Sequence, residues 1–245
     1  MVSASVTAIA ASMQTAVSCD LPGVFPQGST WRAISSGHAG CEGAQWVGET
    51  LHYAAHHDGY AFRWSESTGL MVWRKDSPEA TSFRPDGEGG YYVVEQRTRL
   101  LARWNGKGEQ VEVLADCFEG KRLNRPNDVV VKSDGTLYFT ANDGTNGIEL
   151  WKSDGTEAGT VMVKDISVGA DSSGPQFLYA MGSTLYFAAY DPDHRVELWK
   201  SDGTEAGTQP ISEDGKDVCD DARPFLIRDR LVLFVHNAHK GHDLV

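Results

Sequence analysis

Side chains able to hold a metal ion occur in two histidine groups and one recurrent acidic triplet. His236, His239 and His242 follow i, i+3, i+6 spacing, and His52, His56 and His57 lie close together. On a helix the first spacing would present part of a zinc face. The surrounding residues read as strand, loop, strand, so loop histidines are expected there instead. Asp-Gly-Thr begins at Asp134, Asp143, Asp154 and Asp202. None of the four continues with the spaced acids and closing Glu of a calcium loop. They read as hairpin turns, because Asp and Gly tolerate positive φ. Cys19, Cys41, Cys117 and Cys219 form no Cys-x-x-Cys pair, which disfavours a zinc ribbon and leaves free thiols and disulfides equally open. A Gly-x-Ser-x-Gly elbow, a phosphate loop and a dinucleotide fingerprint are all missing from the sequence, so serine-hydrolase and nucleotide chemistry gain no support.

The elements that would carry such side chains are set by an internal repeat. Glu149–Thr160 recurs without change as Glu197–Thr208, 48 residues on. At the same offset Leu137-Tyr-Phe-Thr-Ala141 becomes Leu185-Tyr-Phe-Ala-Ala189, and a fainter third copy runs from Leu231-Val-Leu-Phe-Val235 to Gly241–Val245. Leu51-His-Tyr-Ala-Ala55 and Tyr91-Tyr-Val-Val-Glu95 look like the same element. Five such strands, spaced by about 40 to 48 residues, match the blades of a β-propeller. Within one unit, residues 177–181, 184–189, 196–200 and 207–211 read as four short strands. Trp151 and Trp199 recur at the repeat period and are expected to pack between blades rather than to form a sugar platform. The fold class is therefore all-β: a propeller of about five four-stranded blades, or an incomplete six-bladed ring. The last unit reaches its third strand at Val245, and Ser29–Ile34 is expected to supply a closing strand.

Composition bounds the partners. The 245 residues carry 22 Lys+Arg against 34 Asp+Glu, a net charge of −12. That surplus of acid argues against a nucleic-acid backbone. Residues 1–130 are net −3 and residues 131–245 net −9, so the repeats supply most of the acidity. No run approaches the ~20 apolar residues of a membrane span. Residues 1–28 lack Lys and Arg and read as a disordered leader or a degenerate export signal, leaving the compartment open. The propeller is expected over 29–245.

Two resemblances meet in this chain. From Cys41-Glu-Gly-Ala-Gln-Trp46, through Arg63-Trp-Ser-Glu-Ser-Thr-Gly69 and Val94-Glu-Gln-Arg97, to Gly120-Lys-Arg-Leu-Asn-Arg-Pro-Asn-Asp-Val-Val-Val-Lys-Ser-Asp-Gly-Thr136, the sequence resembles the gluconolactonase/regucalcin (senescence marker protein) family. The resemblance covers about residues 40–141. It implies a six-bladed propeller with one divalent cation on its axis, Ca²⁺ first, with Zn²⁺ or Mn²⁺ as alternatives. It places a metal carboxylate on Glu42, a metal-binding amide on Asn127 and a substrate contact on Arg125, each just before the innermost strand of its blade. A hard cation takes such oxygens and would polarise a lactone carbonyl and acidify a water. From about 133 to 245 the chain instead resembles a bacterial Glu-Leu-Trp-x-x-Asp-Gly-Thr repeat that brings no catalytic role.

That change removes motifs the first family would supply. Its fourth blade should bring a second Asn ligand from a Pro-Asn-Gly-like segment, and here Ser173-Gly-Pro-Gln-Phe177 leaves Pro175 or Gln176 in its place. Its fifth should bring an Asp that serves as both ligand and general base, where Cys219–Phe225 offers Asp220 or Asp221. The implied activity is metal-dependent hydrolysis of a small sugar lactone by a monomer, with the catalytic residues unassigned. The alternative is a non-catalytic propeller that binds a partner or plays a structural part outside the cell.

Overall fold

The computed structural model describes residues 6–8, 31–35, 38, 40–192, 195–211, 223–227, 230–237 and 241–244, of which 6–8, 31–33, 195, 223–227, 230–237 and 241–244 are described by their backbone. Four antiparallel sheets of four strands each follow the chain in up-and-down order: 41–74, 80–115, 124–164 and 176–210. A fifth, 223–244, has three strands among the described residues. The second strands are Thr50–Ala55, Tyr91–Glu95, Leu137–Asn142, Thr184–Asp191 and Arg230–Asn237, at the five positions marked by the repeat. No helix among the described residues is long and apolar enough to cross a membrane.

The chain divides into two compact units, residues 1–80 and 81–245, a division that falls away from the change of sequence character near residue 141. The first unit holds the first sheet, whose core gathers Leu51, Tyr53, Ala55, Phe62 and Trp64. It also holds a parallel pair, Val6–Ala8 with Trp31–Ala33. The segment expected to close the last blade thus finds its partner inside the segment expected to be a leader.

In the second unit, apolar side chains between successive sheets build two cores. Trp151, 1% exposed, packs with Leu101, Leu114, Val129 and Phe139, and its indole N–H donates to Ala141 O at 2.9 Å. Trp199, 2% exposed, packs with Val130, Tyr138, Leu150 and Phe187. These tryptophans seal the gaps between sheets, as the period implies.

The identical turns explain the rest of the repeat. Asp154 Oδ1 accepts from Thr156 N (2.9 Å) and from its hydroxyl (2.7 Å), and Thr156 Oγ1 accepts from Gly159 N (2.9 Å). Thr160 donates its hydroxyl proton to Thr156 O at 2.7 Å, so in the 2.8 Å pair with Ser153 the serine must be the donor. Asp202, Thr204, Gly207, Thr208 and Ser201 repeat every one of these bonds. The second turn also docks on the third sheet. Lys132, Lys152 and Lys164 donate to the carbonyls of Asp202, Gly203 and Thr208 at 3.2, 2.8 and 3.0 Å.

Candidate functional site

In three of the sheets the first strand carries a polar residue followed by a backbone irregularity. In the third sheet Asn127 faces Thr140, and a bulge follows before Val129 meets Phe139. In the fourth, Gln176 faces Ala188 and a bulge precedes Tyr179. Thr140 and Ala188 are 48 residues apart, so they are the same repeat position. In the first sheet Glu42 faces Ala54, again followed by a bulge, and Ala54 matches Thr140 when Leu51 is set on Leu137. Glu42, Asn127 and Gln176 therefore share one register position in three sheets.

The residue after each is left-handed: Gly43 at φ 64°, Asp128 at 47° and Phe177 at 56°. Glycine takes this conformation freely. For a bulky residue such as Phe177, 41% exposed, it is an outlier of the kind that clusters at functional sites. Bulges of this type bend the strand and re-aim a side chain.

The sequence places Glu42 and Asn127 just before the innermost strands. Both lie inside them, in Cys41–Val47 and Asn124–Val131. Strand Asn124–Val131 lies against strand Gln176–Met181, which in turn lies against Arg223–Ile227, so first strands adjoin within the second unit. Of Pro175 and Gln176, it is Gln176 that shares the register position of Asn127. In the fifth sheet Arg223 faces Phe234, the counterpart of Thr140 when Leu231 is set on Leu137. Asp220 and Asp221, the alternatives for the missing acid, lie outside the described residues.

Asn127 and Gln176 are exposed, and Glu42 keeps 40% of its side-chain surface. His56 Nδ1 lies 3.6 Å from the Glu42 carboxylate and 2.8 Å from Gly40 O. Asn127 gives its carbonyl to the Thr140 hydroxyl at 2.8 Å. Arg125 is exposed, two residues before Asn127 and itself at φ 49°. Asp128 turns away from any ligand role. It accepts from the Ser82 hydroxyl (3.1 Å) and from Val129 N (2.9 Å), and it pairs with Arg84 at 3.6 Å. That network ties the third sheet to the strand Ala80–Pro85.

His52 is buried edge-on against Trp73, ring centres 4.9 Å apart, and burial, with help from Arg63, pushes its pKa down to about 4. His56 and His57 stack at 3.7 Å. His236 and His242 face each other across a hairpin, and His239 lies outside the described residues. Among the described residues no three His, Cys, Asp or Glu gather to hold a metal ion. The shared register position carries a carboxylate in one sheet and an amide in each of two others, oxygen donors of the kind a hard ion takes.

Sequence reasoning missed Glu149. The signal was present: an acid recurs at 149 and 197, flanked in each strand by an aliphatic residue before it and Leu-Trp after it. It is fully buried, and burial raises its pKa to about 7 despite bonds from Ser173, Ile166 and Ser167.

Comparison with known proteins bears on these positions. Residues 41–168, just over half of the chain, match the family model described as SMP-30/Gluconolactonase/LRE-like region. The chain belongs to this family. The match holds Glu42, Arg125 and Asn127, runs through the first copy of the repeat, and stops before Gln176.

A gluconolactonase of Zymomonas mobilis is 28% identical over 114 residues, covering 40% of this chain and 32% of that protein. The chain thus spans about a third of the length of that curated relative. The structure of a Xanthomonas campestris gluconolactonase matches with a TM-score of 0.61 at 18% identity, over 84% of this chain and 72% of that one. An Agrobacterium tumefaciens regucalcin, described as a calcium-binding protein, matches with a TM-score of 0.50 at 13% identity, over 71% and 59%. These likenesses establish the β-propeller fold and a distant similarity to gluconolactonases.

Proposed function

We propose that this chain is a metal-assisted hydrolase of small sugar lactones, with Glu42, Asn127 and Gln176 as oxygen ligands of one divalent cation, Ca²⁺ before Zn²⁺ or Mn²⁺. The observation that carries the reading is their common register position, each followed by a left-handed residue at a bulge. A bound cation would supply Lewis acidity toward a lactone carbonyl and a bound water. The chain's own part is to offer three oxygens from first strands, each beside a bulge that re-aims it, and to keep the Arg125 guanidinium exposed for a lactone or hydroxyl oxygen. Glu42 contributes the negative charge that an amide lacks. With a single carboxylate among three protein ligands, cation affinity is expected to be modest, since ligand charge count tunes it.

The test is gluconolactone hydrolysis with Ca²⁺, Zn²⁺ or Mn²⁺, by the wild type and by Glu42→Ala. Metal-stimulated turnover lost in Glu42→Ala supports the reading. Rates equal to spontaneous hydrolysis in both sink it.

A second reading, a non-catalytic propeller acting as a binding or structural module, draws on Arg223 at the fifth register position and on turns whose side chains bond within themselves. Cation binding without turnover would favour it.

A further inference from the structure

The loop that delivers Gln176 is held from behind by one buried carboxylate. Glu149 lies in strand Ile148–Ser153 with no solvent exposure. Its carboxylate accepts from Ile166 N at 3.1 Å, from Ser173 N at 2.9 Å and from the Ser173 hydroxyl. The same strand grips the loop through its backbone: Gly174 N donates to Ile148 O at 3.0 Å, and Ile148 N donates to Ser172 Oγ at 2.9 Å. On the other side Tyr190 N donates to Ser173 O at 2.7 Å. The approach is close enough that a Cβ on Gly147 would stand 2.0 Å from Asp171 O. The loop is thus bonded at its start, Ile166, and at its end, Ser172–Gly174, two residues before Gln176. A buried carboxylate is strongly disfavoured unless donors surround it, and here every named donor belongs to this loop.

We propose that Glu149 is a positioning residue for the candidate site: by fixing residues 166–174 it sets the backbone from which Gln176 presents its amide oxygen beside the strand of Asn127. This rests on the reading of Gln176 as a cation ligand. A ligand whose supporting loop is already fixed needs no ordering on binding, and partners behind a ligand commonly govern affinity for that reason. The residue touches neither cation nor substrate and acts only through the loop.

Glu149→Gln keeps the volume but replaces one acceptor oxygen with a donor. At pH 8, amide exchange at Ile166, Ser173, Gly174 and Gln176 is expected to quicken about ten- to a hundredfold, the scale of bonds lost from a charged acceptor. Exchange in strand Tyr91–Glu95 should stay unchanged. Glu149→Asp, which keeps the charge on a shorter stem, should fall between and guards against a Gln variant that fails to fold. Calcium titrated alone should bind about tenfold more weakly to Glu149→Gln. In a Gln176→Ala background the same substitution should cost nothing more, whereas a merely structural residue would weaken binding in both backgrounds. Unchanged loop exchange, or additive losses, in a cation-binding chain overturns the positioning role alone. A wild-type chain that binds no cation overturns the reading of the site, and the positioning role with it.

Discussion

Glu149 also predicts how stability varies with pH. Its carboxyl is fully buried and its pKa is raised from 4.5 to about 7, burial outweighing the donors around it. At about 1.4 kcal/mol per pH unit, that displacement is worth about 3 kcal/mol. The sign follows from linkage: the folded chain holds the proton more tightly than the unfolded chain. The associated stability is full below about pH 4.5 and is lost as pH rises through about 7. Glu149→Gln cannot titrate, so its bond losses enter as a constant offset. Urea unfolding of both proteins at half-unit steps from pH 4.5 to 8 isolates the effect, because every other titrating group cancels in the difference. Wild-type stability should fall by about 3 kcal/mol relative to the variant across that range. Parallel profiles would refute the reasoning and would mean that the donors hold the carboxyl near its ordinary value.

Other consequences are open to test. Gly155 and Gly203 hold the same repeat position at φ 90° and 97°, but a Cβ at Gly155 meets only Leu114 Cδ2 at 3.5 Å, whereas at Gly203 it meets Tyr138 Oη at 2.1 Å. Alanine at either should cost about 1–2 kcal/mol for left-handed strain, and Gly203→Ala about 1–3 kcal/mol more for the clash; equal losses in denaturant would contradict the docked turn. Trp151→Ala and Trp199→Ala should each cost about 3–5 kcal/mol, read as a lower urea midpoint, and a loss under 1 kcal/mol would contradict burial between sheets. His52, whose pKa is lowered to about 4, makes its contribution above pH 6.5, and that contribution is lost as pH falls toward 4. His52→Phe should flatten that acid limb, visible as a smaller drop in melting temperature between pH 6.5 and 4.

Much of the fold was legible because its signals are local. The five second strands could be placed from Leu51, Tyr91, Leu137, Leu185 and Leu231, since a strand is a short apolar run and a turn needs Gly at positive φ. The Asp-Gly-Thr turns and the tryptophans between sheets followed from the same period. Register was harder. Pro175 and Gln176 are neighbours in sequence, and only the pairing of Gln176 with Ala188 separates them. Bulges add residues to one strand without marking which residue is added, and Phe177 would not be predicted to adopt φ 56°. Asp128, next to Asn127 and as plausible a ligand by type, is bonded to Ser82 on a different sheet.

The sequence alone determined the repeat, the strand order, the turns and three site candidates, two of them carried by one specific motif. Tertiary structure decided which oxygens share a register position, which acid is tied into packing, and that Glu149 turns inward to hold the loop before Gln176. The physical reason lies in range. Propensity and periodicity act over a few residues, whereas register, burial and hydrogen-bond partnership depend on residues that the chain brings together from a distance: 13 positions apart for Asn127 and Thr140, 24 for Glu149 and Ser173, 46 for Ser82 and Asp128.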